Sequence, residues 1–309
     1  MTLQQLEYII ALEKYGHFSL AAEACNITQP TLSATIAKLE EELDMQIFDR
    51  SKHPIEATEA GKKIISQAKV ILFNSSQLKE MVLSEKEQSS GDLKFGIIPT
   101  IAPYILPKMF KQMRENNPDI TLHVTEASTS SLIPAIKKAE IDMALMATPL
   151  NDPDLLEIPI YYEKFVAYVS ESDPLYKLKE LHPEDLHGDN LWVLREEHCL
   201  SIQVLNLCKI KSSYSTNYRA GSIDTLVKIV DENGGYTVIP ELHIDLICNS
   251  VQRARIRPII DPVPVREVSL VIRKDYVREK LLNIISDNIR KIIPEHMIDS
   301  RLKKFAIKI

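Results

Sequence analysis

The fold class this sequence predicts has three parts: a helical N-terminal domain closed by a small β-wing, one long amphipathic helix, and an α/β region of alternating strands and helices. Three observations predict it. Short segments with helical apolar spacing flank a three-residue turn at Asn26-Ile27-Thr28. The stretch Glu59 to Glu87 has no proline and carries a seam of apolar residues at alternating spacings of four and three. Beyond it, strand-like and helix-like runs alternate, the pattern of helices layered on a mostly parallel sheet.

Leu3, Leu6, Ile9 and Ile10 place a first helix before Gly16. Ser19 is the expected cap of a second helix, Leu20 to Cys25. Thr28 would cap a third helix running through Leu32, Ile36 and Leu39 to Leu43, with Pro30 in its first turn. Two helices joined in this way form a helix-turn-helix, whose second helix enters the DNA major groove. Gln29, Pro30, Thr31, Ser33 and Lys38 are therefore its candidate DNA contacts. Met45 to Phe48 and Ile55 to Thr58 read as a wing whose tip carries Arg50 and Lys52 toward phosphates. Up to Thr58 the cations are Lys14, Lys38, Arg50 and Lys52, fewer than the acids. Binding must rest on placed cations, helix N-termini and paired half-sites rather than bulk charge.

In the long helix the seam is Ile64, Ala68, Ile71, Ser75, Leu78 and Val82, and its expected partner is the same helix of a second subunit. Ser84 to Asp92 reads as a hinge. The strands expected next are Leu93 to Ile98, Ile120 to Thr125 and Ile141 to Met146, with helices around Pro107 to Glu115 and Ser131 to Lys138 between them. A break near Tyr161-Tyr162 precedes strands Phe165 to Val169, Leu191 to Leu194 and Tyr214 to Arg219. Ser222 caps a helix that Gly234-Gly235 ends. Tyr236 to Ile239 and Glu267 to Ile272 are late strands, and Glu279 to Ile293 is a last helix.

Cys199 and Cys208 bracket a short helix with Leu200, Val204 and Leu207 on its apolar side. Helical geometry holds the two sulfurs roughly 13–14 Å apart, about half a turn around the axis. A disulfide needs Cα atoms within about 7 Å, so joining them requires the helix to come apart. Cys199 would sit in the first turn beside His198, where free backbone N–H groups favour a thiolate. Ile202, Gln203 and Asn206 share its side, a more polar neighbourhood. Small buried hydrophobes are the other reading of both cysteines, and structural roles are expected for Cys25 and Cys248.

Composition sets outer bounds. A chain of 309 residues, 45% hydrophobic and 26% charged, is that of a soluble protein with two or three domains. A net charge of −6 argues against a protein that coats nucleic acid generally. No apolar run approaches a membrane span, and no signal peptide is read at the start. Four cysteines in such a chain are expected to be reduced.

The residues FSLAAEACNITQPTLSATIAKLEEEL, followed by IFDR and ATEAG, resemble the winged helix-turn-helix of LysR-type transcriptional regulators. Further along the chain is similar to the peroxide-sensing OxyR branch of that family. It has His198-Cys199-Leu200 with a second cysteine nine residues after the first, Ile98-Pro99-Thr100, and Glu126-Ala127 followed by Thr129. Ala37 stands where the family often has arginine, and Ser201 and Ile202 where the branch often has a basic then an acidic residue, while Gln203 fits.

The resemblance implies a DNA-binding domain over 1–58 and a dimerisation helix and hinge over 59–90. It implies a periplasmic-binding-protein-like effector region of two subdomains, 91–162 with 268–309, and 163–267. It further implies that hydrogen peroxide oxidises Cys199 to a sulfenic acid, that Cys208 then closes a disulfide, and that Thr100, Thr129, His198, Gln203 and Arg266 surround the peroxide. Expected partners are a double-stranded DNA operator, further copies of the chain as dimer or tetramer, a cellular thiol reductant and RNA polymerase. Neither cofactor nor metal is expected, and the setting is cytoplasmic. Two other readings stay open: a regulator answering to a small metabolite in the inter-subdomain cleft, and a Cys–His hydrolase.

Overall fold

The computed structural model describes residues 1–85, 91–194, 199–207, 220–247, 249–276 and 278–299. The expected strand at Tyr214 to Arg219 and the residues His198, Cys208 and Cys248 lie outside them. The chain divides into two compact units, Met1–Gln88 with Lys137–Glu140, and Ser89–Ile136 with Ile141–Ile309.

In the first unit, α1 (Leu3–Tyr15) opens on a reciprocal cap. Gln5 N–H donates to Thr2 Oγ1 at 3.3 Å and Thr2 N–H to Gln5 Oε1 at 2.8 Å. Gly16 closes it at φ 65°, a left-handed conformation glycine adopts freely. α2 (Phe18–Ala24) starts earlier than expected: His17 holds the cap position and Ser19 lies inside the helix. The reason is Phe18, which packs against the core and so winds into the first turn. Thr28 does hold the cap position of α3 (Gln29–Glu42), but its hydroxyl bonds the Thr31 hydroxyl at 2.8 Å instead of the backbone. Leu32, Ile36 and Leu39, spaced four and three apart, are fully buried against Leu6, Ile9, Leu12, Ala21 and Ala22.

The wing is a two-stranded ribbon, β1 (Phe48–Asp49) antiparallel to β2 (Glu56–Ala57). α4 (Glu59–Glu85) follows. A Cβ at Gly61 would lie 2.0 Å from the Ile47 carbonyl oxygen, so only glycine lets this helix meet the chain entering the wing. The seam of α4 needs correcting. Ile65 and Ala68 are buried in the helix-turn-helix core, and Ile64, Ile71 and Leu72 pack on it. Its first half thus serves its own domain, while Leu78 farther along is 66% exposed. Heptad spacing identifies an apolar stripe but not the surface that covers it.

The second unit begins with β3 (Gly91–Ile97), α5 (Ala102–Asn116), β4 (Ile120–Glu126), α6 (Thr129–Lys137) and β5 (Met143–Thr148). β3 is parallel to both β4 and β5. The expected break at Tyr161-Tyr162 is absent: β6 runs unbroken from Leu155 to Val169, with a register shift between Pro159 and Tyr161. After it come α7 (Cys199–Leu207), α8 (Ile223–Asn233), β7 (Tyr236–Pro240), α9 (Ser250–Arg253), β8 (Ile256–Pro258), β9 (Val265–Arg273) and α10 (Glu279–Ile292). Leu191 and Leu194 form only isolated bridges, to Tyr236 and Ala220.

The sheet order is β4-β3-β5-β9-β6-β7, with β8 also on β6. The mostly parallel expectation fails here, because every described pairing of β6 and β9 is antiparallel. The cause is the double passage between subdomains. The first half of β6 pairs with β9, and its second half turns to β7 and β8. β6 is thus a strand common to both halves of the region. No helix among the described residues is long and apolar enough to cross a membrane.

Candidate functional site

Where β6 and β9 run side by side, Glu163 stands opposite Arg266. Arg266, placed before a late strand by the sequence, is inside β9, and both side chains are fully buried. Arg266 Nη2 is 2.6 Å from Glu163 Oε2, and its Nε donates to the same oxygen at 2.8 Å. The Leu242 N–H donates to Oε1 at 3.0 Å. Burial pushes the Glu163 carboxyl up, against the opposing pull of Arg266 and the Leu242 N–H. The rest of the guanidinium goes to Thr100: Nη1 donates to Oγ1 and Nη2 to the carbonyl, each at 3.1 Å. Its planar fork suits this double task in a way a lysine would not.

Thr100 follows β3 closely and is 3% exposed. Just beyond, on α5, the Tyr104 hydroxyl meets His243 Nδ1 at 3.1 Å. Their rings stand edge to face with centroids 6.0 Å apart. His243 is buried, which pushes its imidazole below the ordinary value, while Asp224, 3.9 Å from Nε2, works the other way. Thr129 is the first residue of α6, and its Oγ1 is buried with no hydrogen-bond partner among the described residues.

Cys199 is the first residue of α7. Leu200 and Val204 enter the core, as their spacing requires. Ser201, read as a departure, is buried and its hydroxyl donates to the Leu194 carbonyl at 3.0 Å, tying the helix to the preceding chain. The expected polar side of α7 divides: Ile202 is exposed, whereas Gln203 is fully buried. Neither polar atom of the Gln203 amide has a partner among the described residues. Such a group costs about 1–3 kcal/mol unless something fills it. Gln203 lies one turn beyond Cys199 along α7.

The structure therefore joins Thr100 directly to Arg266, and leaves Thr129 Oγ1 and the Gln203 amide buried without hydrogen-bond partners among the described residues. Glu163, Tyr104 and His243 were missed by sequence reasoning. Glu163 falls in the apolar run read as a break, and no local pattern marks a residue whose partner is a hundred positions away.

In the first unit Gln29, Pro30, Thr31 and Lys38 of α3 are exposed and Ser33 is half-buried, while Leu32, Ile36 and Leu39 are its buried residues. The wing cations are both paired, Arg50 Nη2 with Glu40 Oε2 at 2.8 Å and Lys52 Nζ with Glu56 Oε2 at 2.6 Å. Cys25 closes α2 half-buried, and burial pushes its thiol up, with Glu7 adding to the effect.

Two family descriptions match: residues 3–62 fit the bacterial regulatory helix-turn-helix protein, lysR family, and residues 86–290 the LysR substrate binding domain. The chain belongs to the LysR family. It is accordingly a DNA-binding transcriptional regulator and not an enzyme, which removes the hydrolase reading. This LysR-family chain is 32% identical over 302 residues to the hydrogen peroxide-inducible genes activator of Haemophilus influenzae, covering 95% of this chain and 99% of that one. It is 32% identical over 278 residues to the DNA-binding transcriptional dual regulator OxyR of Escherichia coli, covering 88% and 90%. Among solved structures it is similar to full-length OxyR C199D from Pseudomonas aeruginosa, with a TM-score of 0.80, 32% identity, and 94% and 98% of the two chains covered. The two-subdomain effector fold expected from the sequence is the one observed.

Proposed function

We propose that this LysR-family regulator senses hydrogen peroxide through Cys199 and passes the signal to operator DNA. The observation that carries the reading is Cys199 at the N-terminus of α7, one turn from a buried glutamine amide with no partner among the described residues. Relatives named for hydrogen peroxide induction across nearly the whole chain support it. Backbone N–H groups at a helix start favour the thiolate. The Cys199 thiolate attacks one peroxide oxygen, the O–O bond breaks, and Cys199 becomes a sulfenic acid with hydroxide leaving. The Cys208 thiol then condenses with it, forming a disulfide and releasing water. Thr100, held by Arg266, would bind the peroxide together with Thr129, His198 and Gln203.

Cys199 opens a helix and Cys208 lies beyond its last described residue, Leu207, so the disulfide must undo α7. Undoing it alters the surface offered to another copy of the chain in a dimer or tetramer. The α4 helices carry the change to Gln29, Pro30, Thr31, Ser33, Lys38, Arg50 and Lys52 on the operator and to RNA polymerase. Exchange with a cytoplasmic thiol reductant resets it. The functional divisions are residues 1–58, 59–90, 91–162 with 268–309, and 163–267.

A metabolite in the inter-subdomain cleft is the weaker reading, because Arg266 already spends four hydrogen bonds on Glu163 and Thr100 there. The test is one equivalent of hydrogen peroxide on the full chain, followed by non-reducing mass spectrometry and DNA footprinting. A Cys199–Cys208 linkage and an altered footprint are expected in wild type, and neither in Cys199→Ser. An unchanged footprint in wild type, or a response persisting in Cys199→Ser, refutes the reading.

A further inference from the structure

The last turn of α3 and the wing are joined by one carboxylate. Glu40 Oε1 accepts the Ile47 N–H at 2.8 Å and the Phe48 N–H at 3.1 Å. Its Oε2 accepts from Arg50 Nη2 at 2.8 Å, and the Glu40 side chain is only 11% exposed. Ile47 and Phe48 are themselves buried, so this carboxylate fixes where the wing leaves the core. The Arg50 guanidinium also lies 5.5 Å from the Phe18 ring centroid, on α2. Arg50 is thus held by both helices of the helix-turn-helix, while 44% of its side chain remains exposed.

We infer that Glu40 is a positioning residue for DNA binding, which aims Arg50 from the wing at a phosphate. A guanidinium has five N–H donors in a rigid fork, enough to keep the carboxylate and donate to a phosphate from another edge. Pre-setting the fork removes the side-chain entropy a free arginine would lose on binding. A domain with few cations gains most from such an arrangement. The inference rests on the reading that the wing reaches the DNA backbone.

Charge alone predicts the opposite sign. Glu40→Gln removes a negative charge from a DNA-binding domain, and simple electrostatics then makes binding tighter. Glu40→Gln keeps an oxygen for the Ile47 and Phe48 N–H groups but turns a donor toward Arg50. The probe is a duplex selected from a random-sequence pool by the full-length wild-type protein, with affinity measured across a salt series. Expected for Glu40→Gln is a weakening of about tenfold and a salt slope reduced by about one, with the melting temperature of the domain kept. In an Arg50→Ala background the same substitution should change affinity less than twofold. Arg50→Lys, a surface change that keeps the charge but not the fork, should also weaken binding. Tighter or unchanged binding by Glu40→Gln, or additive effects in the double variant, overturns the inference. If Arg50→Ala itself leaves affinity and salt slope intact, the wing makes no phosphate contact and both this inference and the reading beneath it fall.

Discussion

Replacing Arg266 by methionine should be the most damaging single change in the effector region. The arginine and Glu163 are both fully buried, and the change removes the Nε and Nη2 contacts to the carboxylate and two bonds to Thr100. What remains for Glu163 is one N–H, from Leu242. Breaking a buried ion pair from one side costs about 3–5 kcal/mol, because a charge is left without compensation. In a region of roughly 200 residues, about 2–4 °C of melting temperature goes with each kcal/mol, so calorimetry should show a fall of about 6–20 °C. The loss should depend on pH with a definite sign. Burial raises the Glu163 carboxyl, and without Arg266 the main opposition is gone. Its folded-state value then lies above the unfolded one, the native state takes up the extra proton, and the deficit shrinks as pH falls through that raised value. Glu163→Leu with Arg266→Met leaves no orphan charge and should recover part of the loss. A deficit under about 1 kcal/mol in Arg266→Met, or a double variant no better than the single, would refute this account of the pair.

Three further outcomes follow from the same geometry. Gln203→Leu removes a buried amide with no partner among the described residues, so the reduced protein should melt at the same or a higher temperature, while sulfenic acid formation at Cys199 slows at least tenfold by mass spectrometry. Trp192, the one tryptophan of the chain, lines a small cavity with Leu200 and Val204 of α7. Its emission should shift on peroxide addition to wild type and stay constant in Cys199→Ser. His243 has a folded-state value below its unfolded one, so stability should decline as pH drops below about 6.5, and His243→Gln should flatten that decline in urea titrations.

Local chemistry was enough to reveal some of this protein. The Gly16 close of α1, the Thr28 start of α3, the helical start at Cys199, the Ser222 cap and most strand positions follow from residue types and spacing within a few positions, which sequence carries directly. Ser19 failed as a cap because packing of Phe18 outweighs a cap worth about 1 kcal/mol. Beyond a few turns, spacing ceases to inform. The α4 stripe looked like a subunit seam, yet its first half is covered by its own domain, since an apolar face buries against whatever surface the chain brings to it. The run through Tyr161 read as an interruption because a strand shared by two subdomains has no simple alternation. Tertiary structure alone decided that Glu163 meets Arg266, that Arg266 holds Thr100, and that Glu40 grips the wing. Those contacts join residues far apart in the chain or across a turn, and burial and hydrogen-bond satisfaction in three dimensions select them.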